Sequence, residues 1–323
     1  MLRSVLILVF SFTLCAESRL YTCMITSRDW VVGSRLPLSG IFVKPAAGDW
    51  RHVGFNHPYI VALDYDPRDP STLLLAAGNG LIRTTEDGEK WRILTGNDVT
   101  ELRDLAVDTR SPDTIYFGHT AGLRVTHDGG VTWKELRGKY TESVRVDRTH
   151  SGRVIAGGED GIFVSENGGE TWARAGAAGY SILHIEQSPH DACRWLVATE
   201  RGGLFASGDC GKTFESAGNL AVGRNLYDIA FDPTTPQRIA VAGWGPGVAV
   251  SEDGGKTWQL RNTGLPTPDA WSVSFDPDHA GHLYAGIHEE ALYVSDDAGK
   301  HWRPAGLPGS IVYRMRWVPE ARR

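Results

Sequence analysis

The eight residues SEDGGKTW, 251–258, recur along the chain with few changes. The copies are TTEDGEKW (84–91), THDGGVTW (126–133), SENGGETW (165–172), SGDCGKTF (207–214) and SDDAGKHW (295–302), with a degenerate KPAAGDW at 44–50. Their final aromatic residues are 41, 42, 39, 42, 44 and 44 residues apart. A repeat of this length indicates an array of similar structural units, because an active site is not repeated seven times.

Each repeat has the same internal order of short apolar segments. In the fifth repeat these are residues 226–233, 238–244, 247–251 and 257–261, separated by Gly, Pro, Asp or Asn turns. Segments of this length and composition are typical of β-strands. Four strands per repeat of about 40 to 45 residues is the pattern of a propeller blade. We therefore predict an all-β chain of four-stranded antiparallel blades, with little helix.

The repeated motif resembles the Asp box of BNR-repeat proteins, which joins the third and fourth strands of a blade. The accompanying segments DPRDPSTLLLAAGNGL (66–81) and DPDHAGHLYAGIHEEAL (276–292) are similar to blades of sortilin-type receptors, xyloglucan-cleaving glycosidases and photosystem II assembly factors. The resemblance covers nearly the whole chain. It implies a propeller fold and leaves the activity open.

The residues of the motif predict a tight, anchored turn. Asp253 can accept backbone N–H bonds, Gly255 can take a positive φ, and Thr257 can add a local hydrogen bond. Glu86 and Asn167 replace the aspartate in two copies, which fits a turn cap and not a catalytic carboxylate. We expect the motif's aromatic rings, including Trp133, Trp172 and Trp258, to be buried between blades.

The two ends of the chain together supply one more blade. Residues 29–34, 40–44 and 49–53 are predicted to be its second, third and fourth strands, and residues 312–318 its first. With the six complete repeats this makes a seven-bladed propeller over residues 28–323. Closing the ring in this way leaves no free sheet edge between the first and last blades.

The first residues predict export. Residues 1–16 combine Arg3 with an apolar run, as a secretory signal peptide does, and residues 17–27 would form a leader segment. The alternatives are a wrongly assigned start codon and an uncleaved anchor. We predict a periplasmic or extracellular monomer that does not span the membrane after cleavage. A net charge of −6 without a basic run excludes nucleic acid as an expected partner.

Propeller topology separates the Asp-box turns from a face that we expect to bind a ligand. That face consists of the links between blades and the hairpins between second and third strands. Tyr180, Arg224 and Trp271 should point toward one central depression on it. The full set of predicted ligand-binding residues is Tyr59, Asp98, Glu101, Arg103, Tyr140, Glu142, Tyr180, Arg224, Tyr227, Trp244, Asp269, Trp271, His288, Glu289 and Tyr313. Aromatic rings beside charged groups suit a glycan or an envelope protein as partner, although some of these side chains could instead pack between blades.

Catalysis is the alternative to binding. Asp98, Glu101, Glu142, Asp160, Asp269 and Glu289 are candidate carboxylates for a sialidase-like or xyloglucanase-like glycoside hydrolase, but no pattern pairs two of them. We therefore predict a non-catalytic binding or assembly protein, with no catalytic residue assigned. The histidines and cysteines show no common zinc-binding spacing, so no cofactor or metal is expected.

Two cysteines are predicted to form a disulfide. Residues 194–200 and 203–208 flank a two-residue turn, so Glu200 should face Gly203 and Cys193 should face Cys210. In that register the two Cβ atoms are close enough for a bond, which an oxidising compartment would favour. The alternative is two thiols in a slipped register. Cys23 would remain free.

Overall fold

A computed structural model describes residues 17–31, 33–45, 48–218 and 220–320. The predicted signal peptide, residues 1–16, lies outside the described residues. In chain order the first strands are β1 (Ser18–Thr26), β2 (Gly40–Lys44), β3 (Arg51–Val53), β4 (Ile60–Asp66), β5 (Asp69–Ala77), β6 (Gly80–Thr85) and, after a 3₁₀ turn at Glu86–Gly88, β7 (Lys90–Ile93). The middle strands are β8 (Leu102–Val107), β9 (Ile115–His119), β10 (Gly122–Thr126), β11 (Lys134–Arg137), β12 (Ser143–Asp147), β13 (His150–Gly158), β14 (Gly161–Ser165) and β15 (Ala173–Gly176).

The remaining strands are β16 (Ile182–Gln187), β17 (Trp195–Thr199), β18 (Leu204–Ser207), β19 (Glu215–Ser216), β20 (Leu226–Phe231), β21 (Ile239–Gly243), β22 (Gly247–Ser251), β23 (Gln259–Leu260), β24 (Ala270–Phe275), β25 (Leu283–Ile287), β26 (Ala291–Ser295), β27 (Arg303–Gly306) and β28 (Ser310–Pro319). They form seven antiparallel sheets of four strands. Blades 1 to 6 run in sequence from β4 to β27, and blade 7 has the order β28-β1-β2-β3. Each blade's first strand contacts the first strand of the next blade, and β28 contacts β4, so the sheets form a closed ring. The predicted seven-bladed propeller is confirmed.

Blade 7 differs from its prediction in one strand. Its second strand is β1, within the segment expected to be a leader, and β1 pairs with β28 on one side and β2 on the other. The described residues of the strand predicted at 29–34, which are 29–31, 33 and 34, form no strand, and Val31 among them is 69% exposed. β1 occupies the position because its apolar residues, including Leu20 and Met24, are completely covered there. The propeller therefore begins at Ser18, earlier than the predicted residue 28.

The hydrophobic core consists of layers between neighbouring blades. Phe117 of β9, for example, lies in one cluster with Leu74 of β5, and Trp133 packs against that cluster. The aromatic residues of the repeats do lie between blades, but only Phe214 and Trp302 are buried. Trp133, Trp172 and Trp258 are half-buried because the turn that carries them reaches the rim of the ring.

The Asp-box turns have the predicted hydrogen bonds. Asp253 Oδ1 accepts the backbone N–H of Thr257 at 2.9 Å, and its Oδ2 accepts the Thr257 hydroxyl at 2.6 Å. Ser251 Oγ accepts the N–H of Gly255 at 2.7 Å. In its own copy of the motif, Asn167 Oδ1 accepts the backbone N–H of Thr171, which explains how the amide replaces the carboxylate. The described chain contains no helix with the length and apolarity needed to cross a membrane.

Candidate functional site

The ring has two chemically different faces. The Asp-box turns and the turns between first and second strands form one, which we call the Asp-box face. The links between blades and the hairpins between second and third strands form the other, which we call the entrance face. Trp271 is the second residue of β24 and His288 follows β25, whereas the Asp box 295–302 starts at the last residue of β26, at the opposite end of the blade. The predicted separation of Trp271 from the Asp boxes is therefore confirmed.

Five rings of blades 5 to 7 meet on the entrance face, and we call Tyr227, Trp244, Trp271, His288 and Tyr313 the aromatic group. Tyr227 and Trp271 stack with ring centroids 4.4 Å apart. His288 lies 5.8 Å from Trp271 and 4.9 Å from Trp244, and Tyr313 meets the edge of Trp271 at 6.1 Å. Trp244 is 39% exposed, and the other four rings are half-buried.

A bulge near the start of the first strand positions three of these rings. The pairing of β20 with β21 skips Tyr227, that of β24 with β25 skips Trp271, and that of β28 with β1 skips Tyr313. A bulged residue leaves the ladder and its side chain is re-aimed. The same irregularity at equivalent positions in adjacent blades brings the three side chains together.

Across the entrance face, blades 1 to 3 contribute a charged group made of Tyr59, Arg103, Tyr140 and Glu142. The Tyr140 hydroxyl donates to Glu142 Oε2, and Arg103 Nε lies 3.7 Å from the same oxygen. The Arg103 guanidinium also stands 5.6 Å from the centre of the Tyr140 ring. Burial raises the pKa of Glu142, against the opposing effects of Tyr140 and Arg103, and it raises the pKa of Tyr59 as well.

The other predicted ligand-binding residues belong to neither group. Asp98 pairs with Arg124 at 3.2 Å, Asp269 accepts the N–H of Gly245 at 3.1 Å, and Glu289 accepts the Ser27 hydroxyl at 2.8 Å. The exposed residues are Tyr180, which is 41% accessible and lies 5.8 Å from Phe205, together with Asp98, Glu101 and Arg224. The structure thus separates the predicted set into two compact groups and several single positions.

Sequence reasoning missed a charged cluster inside the ring. A cavity of about 350 Å³ runs between the first strands, and its charged lining residues are Asp64, Asp104, Arg145, Arg148, His184, Glu186, Asp228, Arg314 and Arg316. Arg145 donates to Asp104 at 2.6 Å, Arg314 to Asp228 at 2.7 Å and Arg316 to Asp64 at 2.9 Å. The available signal was a charged or imidazole residue inside otherwise apolar first strands, as in LYDIAF (226–231).

His184 lies at the centre of this cluster. Its Nδ1 is 2.6 Å from Asp228 Oδ1, and its Nε2 accepts a bond of 2.7 Å from Arg145. Burial lowers the pKa of His184, and the positive charge of Arg314 lowers it further. Burial opposes ionisation of Asp104, yet Arg145, Arg314 and His184 together lower its pKa. The cluster therefore surrounds one buried imidazole with carboxylate and guanidinium groups.

The same layer ties the blades together. Asp104 Oδ2 in blade 2 accepts the N–H of Val144 in blade 3. In the same way, Asp228 Oδ2 in blade 5 accepts the N–H of Val273 in blade 6. Both distances are 3.1 Å. Among the described residues the seven sheets are separate, and isolated bridges such as Glu200–Asn225 and Trp244–Asp269 link neighbouring blades. These buried acceptors add further links between blades, and their first role is structural.

Cys193 and Cys210 form a disulfide, with Cα atoms 3.5 Å apart. The register on which we based the pair is wrong by one residue, because Ala198 faces Leu204. The two cysteines still lie side by side because the Asp-box turn after Ser207 reverses the chain direction. In this turn the N–H of Cys210 donates to Cys193 O at 3.1 Å. Cys23 is a buried free thiol in β1.

Known structures share this architecture at low sequence identity. The GH74 xyloglucanase from Xanthomonas campestris matches with a TM-score of 0.64 and 17% identity, over 76% of this chain and 45% of the enzyme. An ancestral GH74 enzyme matches with a TM-score of 0.64 and 18% identity, over 76% of this chain and 38% of that one. YCF48 from Cyanidioschyzon merolae matches with a TM-score of 0.61 and 18% identity, over 79% of this chain and 88% of its own. YCF48 bound to D1 peptide matches with a TM-score of 0.58 and 16% identity, over 76% of this chain and 81% of that one.

These similarities establish the propeller fold alone. The chain spans less than half the length of the two GH74 enzymes it matches. No protein-family model and no curated protein matches it. Membership of the Asp-box repeat family therefore stays a prediction.

Proposed function

We propose that the chain is a non-catalytic binding propeller whose entrance face holds a segment of a partner protein. The observation that carries this proposal is the presence of the aromatic group and the charged group on the same face of the ring. Stacked rings offer area at little entropic cost, and the polar groups beside them orient a ligand. An extended peptide has both apolar side chains for the rings and amides for Arg103 and Tyr59.

The pairing of three candidate carboxylates supports binding over hydrolysis, whereas Glu101 is exposed. Asp98, Asp269 and Glu289 each have a partner within the chain, as described above. A glycosidase needs two carboxyl groups that face the substrate, one of them free to act as nucleophile or base. YCF48, which has been solved with a D1 peptide, provides a propeller precedent for peptide binding, and this chain covers 81% of that structure.

One observation favours glycoside hydrolysis as a second candidate function. Glu142 is a half-buried carboxyl with a raised pKa at the edge of the opening, which is the property of a general acid. Its hydrogen bond from Tyr140 and its proximity to Arg103 also fit a purely structural carboxylate.

Site-specific photocrosslinking tests the binding proposal. A benzophenone amino acid at Trp244 should crosslink a protein partner in envelope extracts, and the crosslinked peptide should bind the purified chain when synthesised. Val131 is the matched control because it is an apolar residue on the Asp-box face with 81% exposure. Equal crosslinking at both positions would contradict the assignment of the entrance face.

A glycan panel separates the two candidate functions. Under our proposal the purified chain releases no sugar from any member of the panel. Turnover that Glu142→Gln abolishes, with thermal stability retained, would replace the binding proposal by the hydrolase.

We further propose that the protein is an exported monomer. The Cys193–Cys210 disulfide supports an oxidising compartment, and the closed ring supports a monomer since each blade already has neighbours on both sides. Cell fractionation checks the location. Light scattering of the purified chain checks the mass.

A further inference from the structure

A second group of reactive side chains lies on the Asp-box face, away from the aromatic group. Asp276, His279 and His282 occupy every third position of the turn between β24 and β25. One donor atom of each lies within 4.8 Å of a donor atom of the other two. The proposed function of the entrance face makes no use of them.

We propose that Asp276, His279 and His282 bind a divalent transition-metal ion of the zinc type. Two imidazoles and one carboxylate are a donor set that Zn²⁺ and Co²⁺ accept, with water completing the shell. Asp276 Oδ2 lies 3.0 Å from His279 Nδ1. Neighbouring ligands of a tetrahedral zinc ion are about 3.3 Å apart, so these two atoms already have a coordinating separation.

The backbone of the turn holds the three residues in place. The N–H of Asp276 donates to His282 O at 3.0 Å, and the N–H of His282 donates to His279 O at 3.1 Å. Asp276 Oδ1 accepts the N–H of Asp278 at 2.8 Å, which leaves Oδ2 directed toward His279. The two imidazole rings face each other, with centroids 5.2 Å apart and 23° between their planes.

The surroundings of the turn favour a cation. His282 Nε2 lies 3.6 Å from Asp296 Oδ1, an oxygen to which Arg303 donates at 3.0 Å, so Asp296 is a nearby carboxylate and not a hydrogen-bond partner of the ring. An adjoining cavity of about 200 Å³ is also lined by Glu17 and Asp278. The His279 side chain is 58% exposed, so it can rotate to bring the three donors to bonding distance.

The position of this turn gives the ion a role in ring closure. The same cavity is lined by Ser18 and Lys44 of blade 7, and the N–H of Ser18 donates to Asp278 Oδ2 at 2.7 Å. The site therefore borders the seam between blade 6 and β1. An ion that prefers the folded turn stabilises the closed ring by mass action.

Equilibrium dialysis with Zn²⁺ and visible spectroscopy with Co²⁺ test the proposal on the full chain. We expect one ion per chain, a Co²⁺ spectrum of four- or five-coordinate geometry, and a melting midpoint that rises with Zn²⁺. His279→Ala/His282→Ala should weaken Zn²⁺ binding more than about 100-fold, since loss of an outer-shell partner alone costs 10- to 100-fold. The same variant should lose the Zn²⁺-dependent rise of its melting midpoint.

His301→Ala is the matched control. His301 is also exposed in blade 6, and its Nδ1 lies 2.7 Å from Asp297 Oδ2, but within the described part of the chain it belongs to no group of three donors. The His301→Ala variant should bind Zn²⁺ as the parent does. Without metal, the circular dichroism spectrum of each variant should match that of the parent. The proposal is overturned if the double variant binds Zn²⁺ as the parent does, or if His301→Ala weakens binding equally.

Discussion

The rings of Tyr227 and Trp271 lie parallel, 4.4 Å apart with 1° between their planes, although the two residues belong to adjacent blades. The stack is possible because both residues are skipped by the pairing of their own strands. The stack fixes the positions of both rings on the entrance face before any ligand binds. A preformed surface of this kind lowers the entropic cost of association.

Exposure distinguishes two tryptophans of the aromatic group. Trp244→Ala should weaken binding of the crosslinked peptide at least about tenfold while the melting midpoint moves less than about 2 °C, since it removes little packing. Trp271→Ala should lower both the peptide affinity and the melting midpoint, because Trp271 contacts Tyr227, His288 and Tyr313. Fluorescence polarisation and calorimetry measure the two effects. Unchanged peptide affinity in Trp244→Ala would remove this ring from the binding surface.

The tryptophans between blades should differ in their contributions to stability. Trp302 is 7% exposed and its indole donates to Arg261 O at 2.8 Å, so Trp302→Ala should cost about 3 to 5 kcal/mol. Trp258 is half-buried, and Trp258→Ala should cost clearly less. Urea denaturation of both variants checks the order, and equal losses would contradict the burial difference.

The Asp-box carboxylates predict acid sensitivity. Hydrogen bonds from Thr257, first its hydroxyl and then its N–H, lower the pKa of Asp253 to about 2. Because the folded pKa is below the unfolded value of about 3.9, this stabilisation is complete above pH 4 and is lost as the pH falls toward 2. Asp253→Asn should flatten the fall of the melting midpoint in that window.

Asp253→Ala provides the comparison at neutral pH. Alanine leaves the N–H groups of Lys256 and Thr257 without their acceptor. Asparagine retains an Oδ1 acceptor, as Asn167 shows by accepting the N–H of Thr171 in its own turn. The alanine variant should therefore melt lower than the asparagine variant at pH 7. The turn-capping role is wrong if the two melt at the same temperature.

The disulfide should contribute measurably to stability. Cys193 and Cys210 are 17 residues apart, and closing a loop of this size stabilises a fold by roughly 3 kcal/mol in the chain-entropy view. Cys193→Ser/Cys210→Ser should lose about that amount, and Cys23→Ser, which removes a buried thiol without a bridge, is the comparison. Mass spectrometry of the non-reduced secreted protein should recover the two cysteines as one linked peptide pair.

The charged cluster inside the ring should lose much of its contribution to folding stability when one charge is removed. Arg314→Met leaves the buried Asp228 without its 2.7 Å partner and should cost about 3 to 5 kcal/mol. Asp228→Asn retains an acceptor for Val273, so adding it to Arg314→Met should recover part of the loss. A double-mutant cycle measures this coupling, and additive effects would mean that the pair is not coupled.

The sequence by itself determined the repeat, the number of blades and the structure of each Asp-box turn. These depend on residues within a few positions of each other, as in the bonds among Ser251, Asp253 and Thr257, so local chemistry is sufficient. The two sides of the ring followed from strand order alone, and Trp271 lies on the predicted side.

Only the tertiary structure decided which segments close the ring and which charges meet inside it. Residues 18–26 and 29–34 are both apolar enough for a strand, and burial between β28 and β2 selects the first. Asp228 and Arg314 are 86 positions apart and meet because seven first strands surround one narrow channel. Such a contact depends on ring closure as a whole, which no local pattern encodes.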